Sequence, residues 1–284
     1  MIAVTGANGY VGGRILAALR ADGAEAVALV RRPHEQDGPA RHYALDEPLA
    51  DGVLDGVDTV VHAAWDASVR GGRVAAVNAR GSLPLLDAAA ARGGRVLLIS
   101  SLSAFSGARS RYGQAKLALE QEVQRRGGLS VRPGLVFGAA PGGLFGSLAG
   151  SASGRGPTPI VGGSERLFVT HDEHLARLVA QLAGEPPQDR PRPRVIFAAH
   201  ERPTTLRALT GEIAAARGAS VRFLPVPTAA VLAVLRLAEA AGLELPYRSD
   251  SLVSLVNPAP LDQVADLERP PVSFPPFRGD PRAG

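Results

Sequence analysis

Short β-branched or apolar runs alternate with longer segments of helical period along the first two thirds of this 284-residue chain. The runs read IAVTG, AVALV, DTVVHAA, RVLLISS, LSVRPGLVFG and RVIFAAH. Several of the segments between them end in glycine, a common helix stop. Strands that alternate with amphipathic helices form βαβ units, and right-handed crossovers place helices on both faces of the sheet. The pattern therefore predicts an α/β fold with a doubly wound parallel sheet.

The stretch VTGANGYVGG joins the first predicted strand to the first predicted helix. Gly6 permits a tight turn, Gly9 lets the backbone approach a pyrophosphate, and Gly12 lets helix and strand pack closely. The helix N-terminus adds free N–H groups that attract an anion. This placement predicts a Rossmann-type dinucleotide site. Its predicted cofactor-binding residues are Gly6, Asn8, Gly9, Tyr10, Val11 and Gly12.

The end of the second strand, AVALVRRP, bears on which dinucleotide binds. A site for NAD usually has an acid here for the ribose hydroxyls. Arg31 and Arg32 occupy that place, and an arginine can fork onto a 2′-phosphate and stack on adenine. We therefore expect NADP(H) to be preferred, with NAD(H) as the alternative if both arginines are ordinary surface residues. Asp46 is a candidate partner for the adenine amine, or else a loop acid.

Tyr112 and Lys116 lie four residues apart on a predicted helix and so share one face. An ammonium beside a phenol is expected to lower the pKa of the phenol toward values useful for proton transfer. Ser101 ends the strand RVLLISS, where its hydroxyl can hold a substrate oxygen. Ser100 is expected to point to the opposite side of the strand. The alternative is a helical tyrosine and lysine on a wet surface and two serines that simply end a strand. Lys116 is the chain's one lysine, beside 30 arginines.

The alternating pattern loosens twice, in residues 138–164 and after residue 200. Segment 138–164 is rich in glycine, serine and proline, and residues 201–284 hold two further helical stretches. We predict a dinucleotide-binding domain of residues 1–137 and 165–200, and a smaller substrate-binding lobe of residues 138–164 and 201–284. Ligands of such sheets bind at the carboxyl ends of the strands, where this lobe is expected to hold the substrate.

Composition excludes several classes of protein. The chain has no cysteine, which excludes disulfides, thiolate metal sites and cysteine nucleophiles; no metal site is predicted. The net charge of +4 is diffuse, without a basic cluster interleaved with aromatic residues, so nucleic-acid binding is not expected. We find neither a signal peptide nor an apolar run of membrane-spanning length. The sequence thus predicts a cytoplasmic protein with no membrane partner.

Six motifs in order resemble those of the extended short-chain dehydrogenases/reductases, the group that includes the nucleotide-sugar epimerases and dehydratases. They are TGANGYVGG, VVHAAW, VNARG, ISSLSAF, YGQAK and RPGLVFG, and the resemblance covers about residues 1–200. It implies that Ser101, Tyr112 and Lys116 are catalytic and that Tyr112 and Lys116 also contact the cofactor. It further implies that Ala63, Ala64 and Asn78 bind or support the cofactor and that the chain forms a homodimer. His62 is expected to be a packed histidine, neither acid nor base.

Three functions remain open at this stage. The first is an NADP(H)-dependent oxidoreductase that transfers hydride between nicotinamide and a carbonyl or secondary alcohol of a small metabolite or sugar-derived substrate. The second is a nucleotide-sugar epimerase with tightly bound NAD, which fits poorly with Arg31 and Arg32. The third and least favoured is a regulator that senses NADP without chemistry. Leu102 and Ser103 stand where dehydratases of this group carry an Asp-Glu pair, so net dehydration is not expected.

Overall fold

The computed structural model describes residues 1–34, 38–69, 71–138, 145, 158–185, 195–243, 245 and 247–280. Of the predicted lobe segment 138–164, residues 139–144 and 146–157 lie outside this description. The first half of the chain forms these elements: β1 (Ile2–Thr5), α1 (Tyr10–Ala21), β2 (Ala26–Val30), β3 (Ala40–His42), β4 (Thr59–His62), a π-helical segment (Ala75–Arg80) that runs into α2 (Gly81–Ala91), β5 (Arg95–Ile99), α3 (Arg111–Arg125), β6 (Leu129–Pro133) and β7 (Leu135–Phe137).

The second half continues with β8 (Thr158–Ile160), β9 (Arg166–Leu167), β10 (Val169–His171), α4 (Asp172–Gly184), β11 (Val195–Ala198), β12 (Thr204–Thr205), α5 (Leu206–Ala216), β13 (Phe223–Pro225), α6 (Thr228–Ala240), α7 (Ser249–Val256) and α8 (Leu261–Ala265). α6 forms over the stretch in which the apolar pattern predicts a helix, whereas α7 is a helix that we did not predict.

Seven parallel strands form the central sheet in the order β11-β6-β5-β4-β1-β2-β3. The order runs outward in both directions from β1 and β4, as expected for a doubly wound sheet. The predicted fold class is confirmed. β3, a three-residue edge strand of sequence ARH, is too short and too polar to have been recognised from the sequence.

One core packs on each face of the sheet. Side chains of α1 and α4 cover one face, with Ile15, Leu19 and Leu178 fully or almost fully buried. Side chains of α2 and α3 cover the other face, with Leu85 and Leu119 fully buried. The strands of this sheet are therefore enclosed on both sides, which explains why they read as continuous apolar runs.

The predicted single strand LSVRPGLVFG is divided at Gly134 into β6 and β7. β6 pairs with β5 and β11 in the central sheet, whereas β7 leaves it and pairs with β10. A Cβ on Gly134 would lie 2.2 Å from the carbonyl oxygen of Phe168, so only glycine allows this close crossing. The departure of β7 opens the sheet at the place where β6 ends.

A third apolar cluster lies outside the central sheet. Phe137, Phe145 and Phe277 contact one another, with ring centroids 5.1 to 5.6 Å apart. Leu209 and Ile213 of α5 complete this cluster. β13 pairs with β8, and β12 pairs with β9, so residues after 200 fold together with residues 158–167. The exact division into a dinucleotide-binding domain and a substrate lobe stays a prediction.

Candidate active site

The glycine turn after β1 has the geometry of an anion cradle. Gly6 has φ of +65°, in the left-handed region that favours glycine, and a Cβ there would lie 2.8 Å from Cα of Ala64. A Cβ on Gly12 would lie 2.3 Å from the carbonyl oxygen of Gly6. Gly9 precedes the first turn of α1, and no side chain in the described part of the chain caps this helix. The uncapped N–H groups therefore point at exposed space beside Asn8 and Gly9, which suits the phosphates of a dinucleotide.

Two further residues of the turn contact the protein interior with their side chains. The hydroxyl of Tyr10 donates to Oδ2 of Asp172 over 2.8 Å, and Nε of Arg14 lies 3.1 Å from the same oxygen. Burial and the nearby carboxylate raise the pKa of Tyr10. Val11 packs against the core. Both side chains brace the start of α1, so backbone N–H groups are what these residues can offer a phosphate.

A hydrogen-bonded chain connects the ends of β1 and β4. Oγ1 of Thr5 accepts the N–H groups of Ala63 (3.1 Å) and Ala64 (3.0 Å) and lies 2.8 Å from Nδ1 of His62. Burial and the charge of Lys116 lower the pKa of His62 to about 3. The imidazole is therefore neutral near pH 7, and the structure places it in a packing role rather than an acid–base role.

The same chain continues from His62 to the π-helical segment. Nε2 of His62 lies 2.8 Å from Oγ of Ser82, which in turn donates to the carbonyl of Asn78 over 2.6 Å. The side-chain amide of Asn78 accepts from the N–H of Asp66 (2.6 Å) and donates to its carbonyl (3.2 Å). Asn78 thereby fixes the segment after β4, which carries Ala63 and Ala64, against the helix behind it.

Arg31, Arg32 and Asp46 lie at the surface, at the ends of β2 and β3. The side chain of Arg31 is 69% exposed, and its Nη1 lies 3.9 Å from Oδ2 of Asp66, a pairing at the limit of contact. Such exposed ends of guanidinium groups are free to swing onto a phosphate. The role of Asp46 beside the adenine stays a prediction.

The start of α3 is held by two independent caps. Oγ of Ser110 accepts the N–H of Gly113 over 3.1 Å. The carboxylate of Asp250, from α7, accepts the N–H groups of Arg111 (2.8 Å) and Tyr112 (3.0 Å). A carboxylate at a helix N-terminus also complements the helix dipole. Asp250 lies 139 positions from Arg111 and 138 from Tyr112 in the sequence, so no local signal could have revealed that it fixes where Tyr112 stands.

Ser101 and Tyr112 meet at the carboxyl end of β5. A Cβ on Gly113 would lie 2.2 Å from the carbonyl oxygen of Ser103, so glycine allows the first turn of α3 to approach the strand end. A hydrogen bond from Ser101 lowers the pKa of Tyr112, but burial outweighs it and the net shift is upward. The expected lowering of this pKa is therefore wrong for the structure described. Ser100 is buried, and its Oγ has no hydrogen-bond partner among the described residues.

Lys116 is buried, and its ammonium group is held from two sides. Nζ donates to the carbonyl oxygen of Ile99 over 2.8 Å and lies 4.6 Å from the ring centroid of Trp65. Its distance to the ring centroid of Tyr112 is 6.0 Å. Burial lowers the pKa of Lys116 to about 8, partly offset by the charge of Glu120 one turn further along α3.

Trp65 is a residue of the site that the sequence analysis did not single out. Its ring packs edge-on against Tyr112, with centroids 4.9 Å apart at 82°. It thus contacts both members of the Tyr-Lys pair. Two signals pointed to it: Trp65 is the one tryptophan of the chain, and it follows directly on the strand-end motif VVHAA.

A cavity of about 1150 Å³ opens beside Ser101 and Tyr112. Apolar side chains from both parts of the chain line it, among them Leu102, Leu135, Phe168, Val253 and Val264. Segment 248–263 closes over it through hydrogen bonds to the segment between β5 and α3 and to the one after β4. The contacts are Arg248 Nη1 to Ala67 O, Arg109 N to Asn257 Oδ1 (3.0 Å) and Gln263 Nε2 to Ser106 O (3.2 Å).

A family model described as the NAD dependent epimerase/dehydratase family matches residues 2–186, about two thirds of the chain. The chain belongs to this family. The glycine turn, six of the seven strands of the central sheet, and the serine, tyrosine and lysine just described lie inside the matched region, and β11 follows it. The predicted resemblance is confirmed, and the matched family is, by its description, one of NAD-dependent enzymes.

The chain is similar to named members of the wider group. It is 32% identical over 197 residues to the ceramide reductase of Caulobacter vibrioides. The aligned region covers 63% of this chain and 60% of that protein. The chain therefore spans about 60% of the length of this curated relative. The UDP-glucose 4-epimerase of Thermotoga maritima superposes with a TM-score of 0.64 at 20% identity, over 79% of this chain and 85% of that one.

A second solved structure, MoeE5 in complex with UDP-glucuronic acid and NAD, gives a TM-score of 0.66 at 19% identity. The superposition covers 94% of this chain and 97% of that one. At such identities the structural likeness shows the fold alone.

Proposed function

We propose that the protein is an NADP(H)-dependent ketone reductase in which Tyr112 donates the proton. The observation that carries the proposal is that Ser101 and Tyr112 meet at the wall of one cavity, with the buried Lys116 one turn along the same helix as Tyr112. Burial raises the pKa of Tyr112, so the phenol keeps its proton at neutral pH, as a proton donor to a carbonyl oxygen must.

Each residue of the site has a distinct task in this reaction. The bound nicotinamide supplies the hydride. Ser101 orients the carbonyl oxygen toward the phenol by a hydrogen bond, and Tyr112 transfers its proton to that oxygen. Lys116, buried beneath Trp65, presents a positive charge near the anion that forms on the phenol after the transfer. The glycine turn holds the phosphates of the dinucleotide.

We further propose NADPH as the reductant, supported by Arg31 and Arg32 at the end of β2. Both guanidinium groups are exposed, and the chain has no acid at this position for the ribose hydroxyls. NADPH is also the cofactor suited to net reduction. The homodimer and the cytoplasmic location stay predictions from the sequence.

The substrate that fits best is a largely apolar ketone. Most of the side chains that line the cavity are aliphatic or aromatic, and such walls bind apolar groups. The similarity to a protein named ceramide reductase supports both parts of this proposal, reduction and an apolar substrate.

A nucleotide-sugar epimerase is the alternative, and one observation favours it. Four exposed arginines stand at the rim of the cavity: Arg109, Arg111, Arg166 and Arg236. Guanidinium groups in this arrangement suit a diphosphate. In that case NAD would stay bound through the cycle, and no external cofactor would be consumed.

One assay separates these functions. Purified protein is incubated with NADPH or NADH and a series of alkyl ketones of increasing chain length, and in parallel with UDP-glucose and NAD. The reductase proposal predicts stoichiometric NADPH oxidation with the longer ketones and slower oxidation of NADH. Conversion of UDP-glucose without net cofactor turnover would support the epimerase instead. A non-catalytic sensor would bind NADP and turn over neither substrate.

A further inference from the structure

The outward side of α6 (Thr228–Ala240) is largely apolar. At 3.6 residues per turn, the solvent side carries seven exposed residues, Arg236 and six apolar ones that we call the α6 face: Ala229, Ala230, Ala233, Val234, Leu237 and Ala240. Val234 is 61% exposed and Leu237 is 71% exposed. A surface helix ordinarily places charged and polar residues on its solvent side. The α6 face has none of these residues, which is unusual for a surface that remains exposed to water.

The two charged residues of α6 lie off this face. The carboxylate of Glu239 turns inward and accepts from the N–H of Ser249 over 2.8 Å and from its hydroxyl over 2.7 Å. Arg236 stands at the border of the face, on the side of the cavity that it lines. The α6 face is thus bordered by a cation and contains no charge of its own.

The apolar surface continues past the end of the helix. Leu243 is 59% exposed, Leu245 is 43% exposed and Tyr247 is 38% exposed. Tyr247 also lines the cavity, together with Glu239 and Ala240. The wall of the cavity and the exposed apolar surface are therefore made by the same short piece of chain, and the apolar surface borders the mouth of the candidate active site.

The rim of this mouth is positively charged. Arg109, Arg111, Arg166 and Arg236 line the cavity and are exposed, and none forms an ion pair within the described part of the chain. Both acids that line the cavity are engaged: Glu239 caps α7, and Asp250 caps α3. Cations around an apolar surface are complementary to a layer that is apolar inside and anionic outside.

We propose that the α6 face, with Leu243, Leu245 and Tyr247, docks on an anionic lipid bilayer and thereby opens the cavity to a ketone dissolved in that bilayer. The second half of this statement rests on the proposed reductase function. Docking would lay α6 flat in the interface, since no helix among the described residues is long and apolar enough to cross a membrane. Apolar side chains enter the acyl boundary while the arginines meet the phosphates.

A second copy of the chain is the competing occupant of this surface. In a two-fold dimer the same patch faces itself, so each positive rim would approach its own copy. Like charges brought together in an interface are unfavourable. Such a dimer would also cover the mouth of the cavity, through which substrate has to pass. The negative headgroups of an anionic bilayer complement the arginines at the rim. The mouth of the cavity then lies next to a bilayer that can supply apolar substrate.

The test is co-flotation of the full-length protein with lipid vesicles. The vesicles are phosphatidylcholine alone or phosphatidylcholine with about 30 mol% phosphatidylglycerol, an anionic content typical of such assays. We expect flotation with the anionic vesicles, little with the neutral ones, and a fall in bound protein as salt screens the arginines. The double variant Val234→Glu/Leu237→Glu should lower the floated fraction by about tenfold, because two apolar contacts become charges. Leu261→Glu, a leucine on α8 that is 41% exposed and does not itself line the cavity, is the control and should float as the wild type does.

Folding and oligomeric state are measured on the same samples. All three proteins should give the same thermal transition, because the substituted side chains are exposed. The proposal is overturned if wild-type protein stays with the soluble fraction, if the double variant floats equally well, or if sedimentation shows that the double substitution only converts a dimer into monomers.

The link to the reaction has its own readout. The ratio of kcat/KM for a long-chain ketone in anionic vesicles to that for a short, water-soluble ketone should fall about tenfold in the double variant. Equal ratios in the variant and the wild type would overturn substrate delivery from the bilayer. Flotation without turnover of any ketone would leave the docking surface intact and refute the reductase function.

Discussion

At the scale of the residue, Lys116 combines a functional charge with an unfavourable location. Its ammonium is buried, and among the described residues it contacts the carbonyl oxygen of Ile99 and the rings of Trp65 and Tyr112. Burial lowers its pKa from 10.5 to about 8, so the fold is less stable with the charge than without it. This is the pattern expected of a residue retained for chemistry rather than for stability.

The Lys116→Met variant should therefore separate the role of the lysine charge in the reaction from its effect on the stability of the fold. We expect the variant to lose ketone reduction by about a hundredfold or more, while its free energy of unfolding at pH 7 is higher by about 1 to 3 kcal/mol. Between pH 8 and 10.5 the unfolded wild-type chain binds more protons at this lysine than the folded chain does, so wild-type stability rises with pH there. The advantage of the variant should shrink over that window. Urea denaturation at pH 7, 9 and about 10.5 measures it; a variant less stable than wild type at pH 7 would refute this account of Lys116.

Arg31 carries the prediction on cofactor choice. Arg31→Asp introduces a carboxylate that can accept a hydrogen bond from a ribose hydroxyl and removes the proposed partner of a 2′-phosphate. We expect the preference for NADPH over NADH, measured as a ratio of kcat/KM values, to fall by at least about tenfold. Arg177→Asp, an exposed arginine on α4, is the control and should keep the ratio. An unchanged ratio in Arg31→Asp would mean that Arg31 is an ordinary surface residue.

At the scale of the element, α3 is positioned by a carboxylate from a distant helix. Asp250→Ala removes the acceptor of the N–H groups of Arg111 and Tyr112, so we expect the free energy of unfolding to fall by about 1 to 2 kcal/mol. The catalytic rate should fall as well, since Tyr112 is the second residue of the helix. Asp262→Ala, in the first turn of α8, is the control.

Rescue by Asp250→Asn distinguishes capping from charge. The amide oxygen can still accept from one backbone N–H group, so most of the stability and activity should return. If the Asp250→Ala variant has the same free energy of unfolding and the same catalytic rate as the wild type, the cap contributes nothing to the position of Tyr112.

At the scale of the whole molecule, what the sequence predicts and what it misses have different physical origins. The order of elements and the glycine turn follow from local periodicity and from steric needs of single glycines, so the parallel sheet was predictable. Trp65, Asp250 and the turn of β7 away from the sheet depend on contacts between distant segments. The upward shift of the Tyr112 pKa depends on burial, which a spacing of four residues does not reveal.

The same distinction applies to the membrane. The sequence predicted no membrane partner because no apolar run is long enough to span one. That argument applies only to helices that cross a membrane. The α6 face belongs to a helix that would lie on the surface of the bilayer. Its alternation of alanine, valine and leucine reads as an ordinary buried helix in the sequence, and only the fold shows that one side faces outward.

The most direct measurement of the central claim is the reduction of the best alkyl ketone by NADPH, compared between wild-type protein and Tyr112→Phe. Phenylalanine keeps the ring that packs on Trp65 and removes the proton that we assign to the reaction. The account predicts that kcat falls by about a thousandfold or more, while the dissociation constant for NADPH changes by less than about twofold, since the glycine turn and Arg31 are proposed to hold most of the dinucleotide. Turnover by Tyr112→Phe within about tenfold of the wild type would contradict the assignment of Tyr112 as the proton donor.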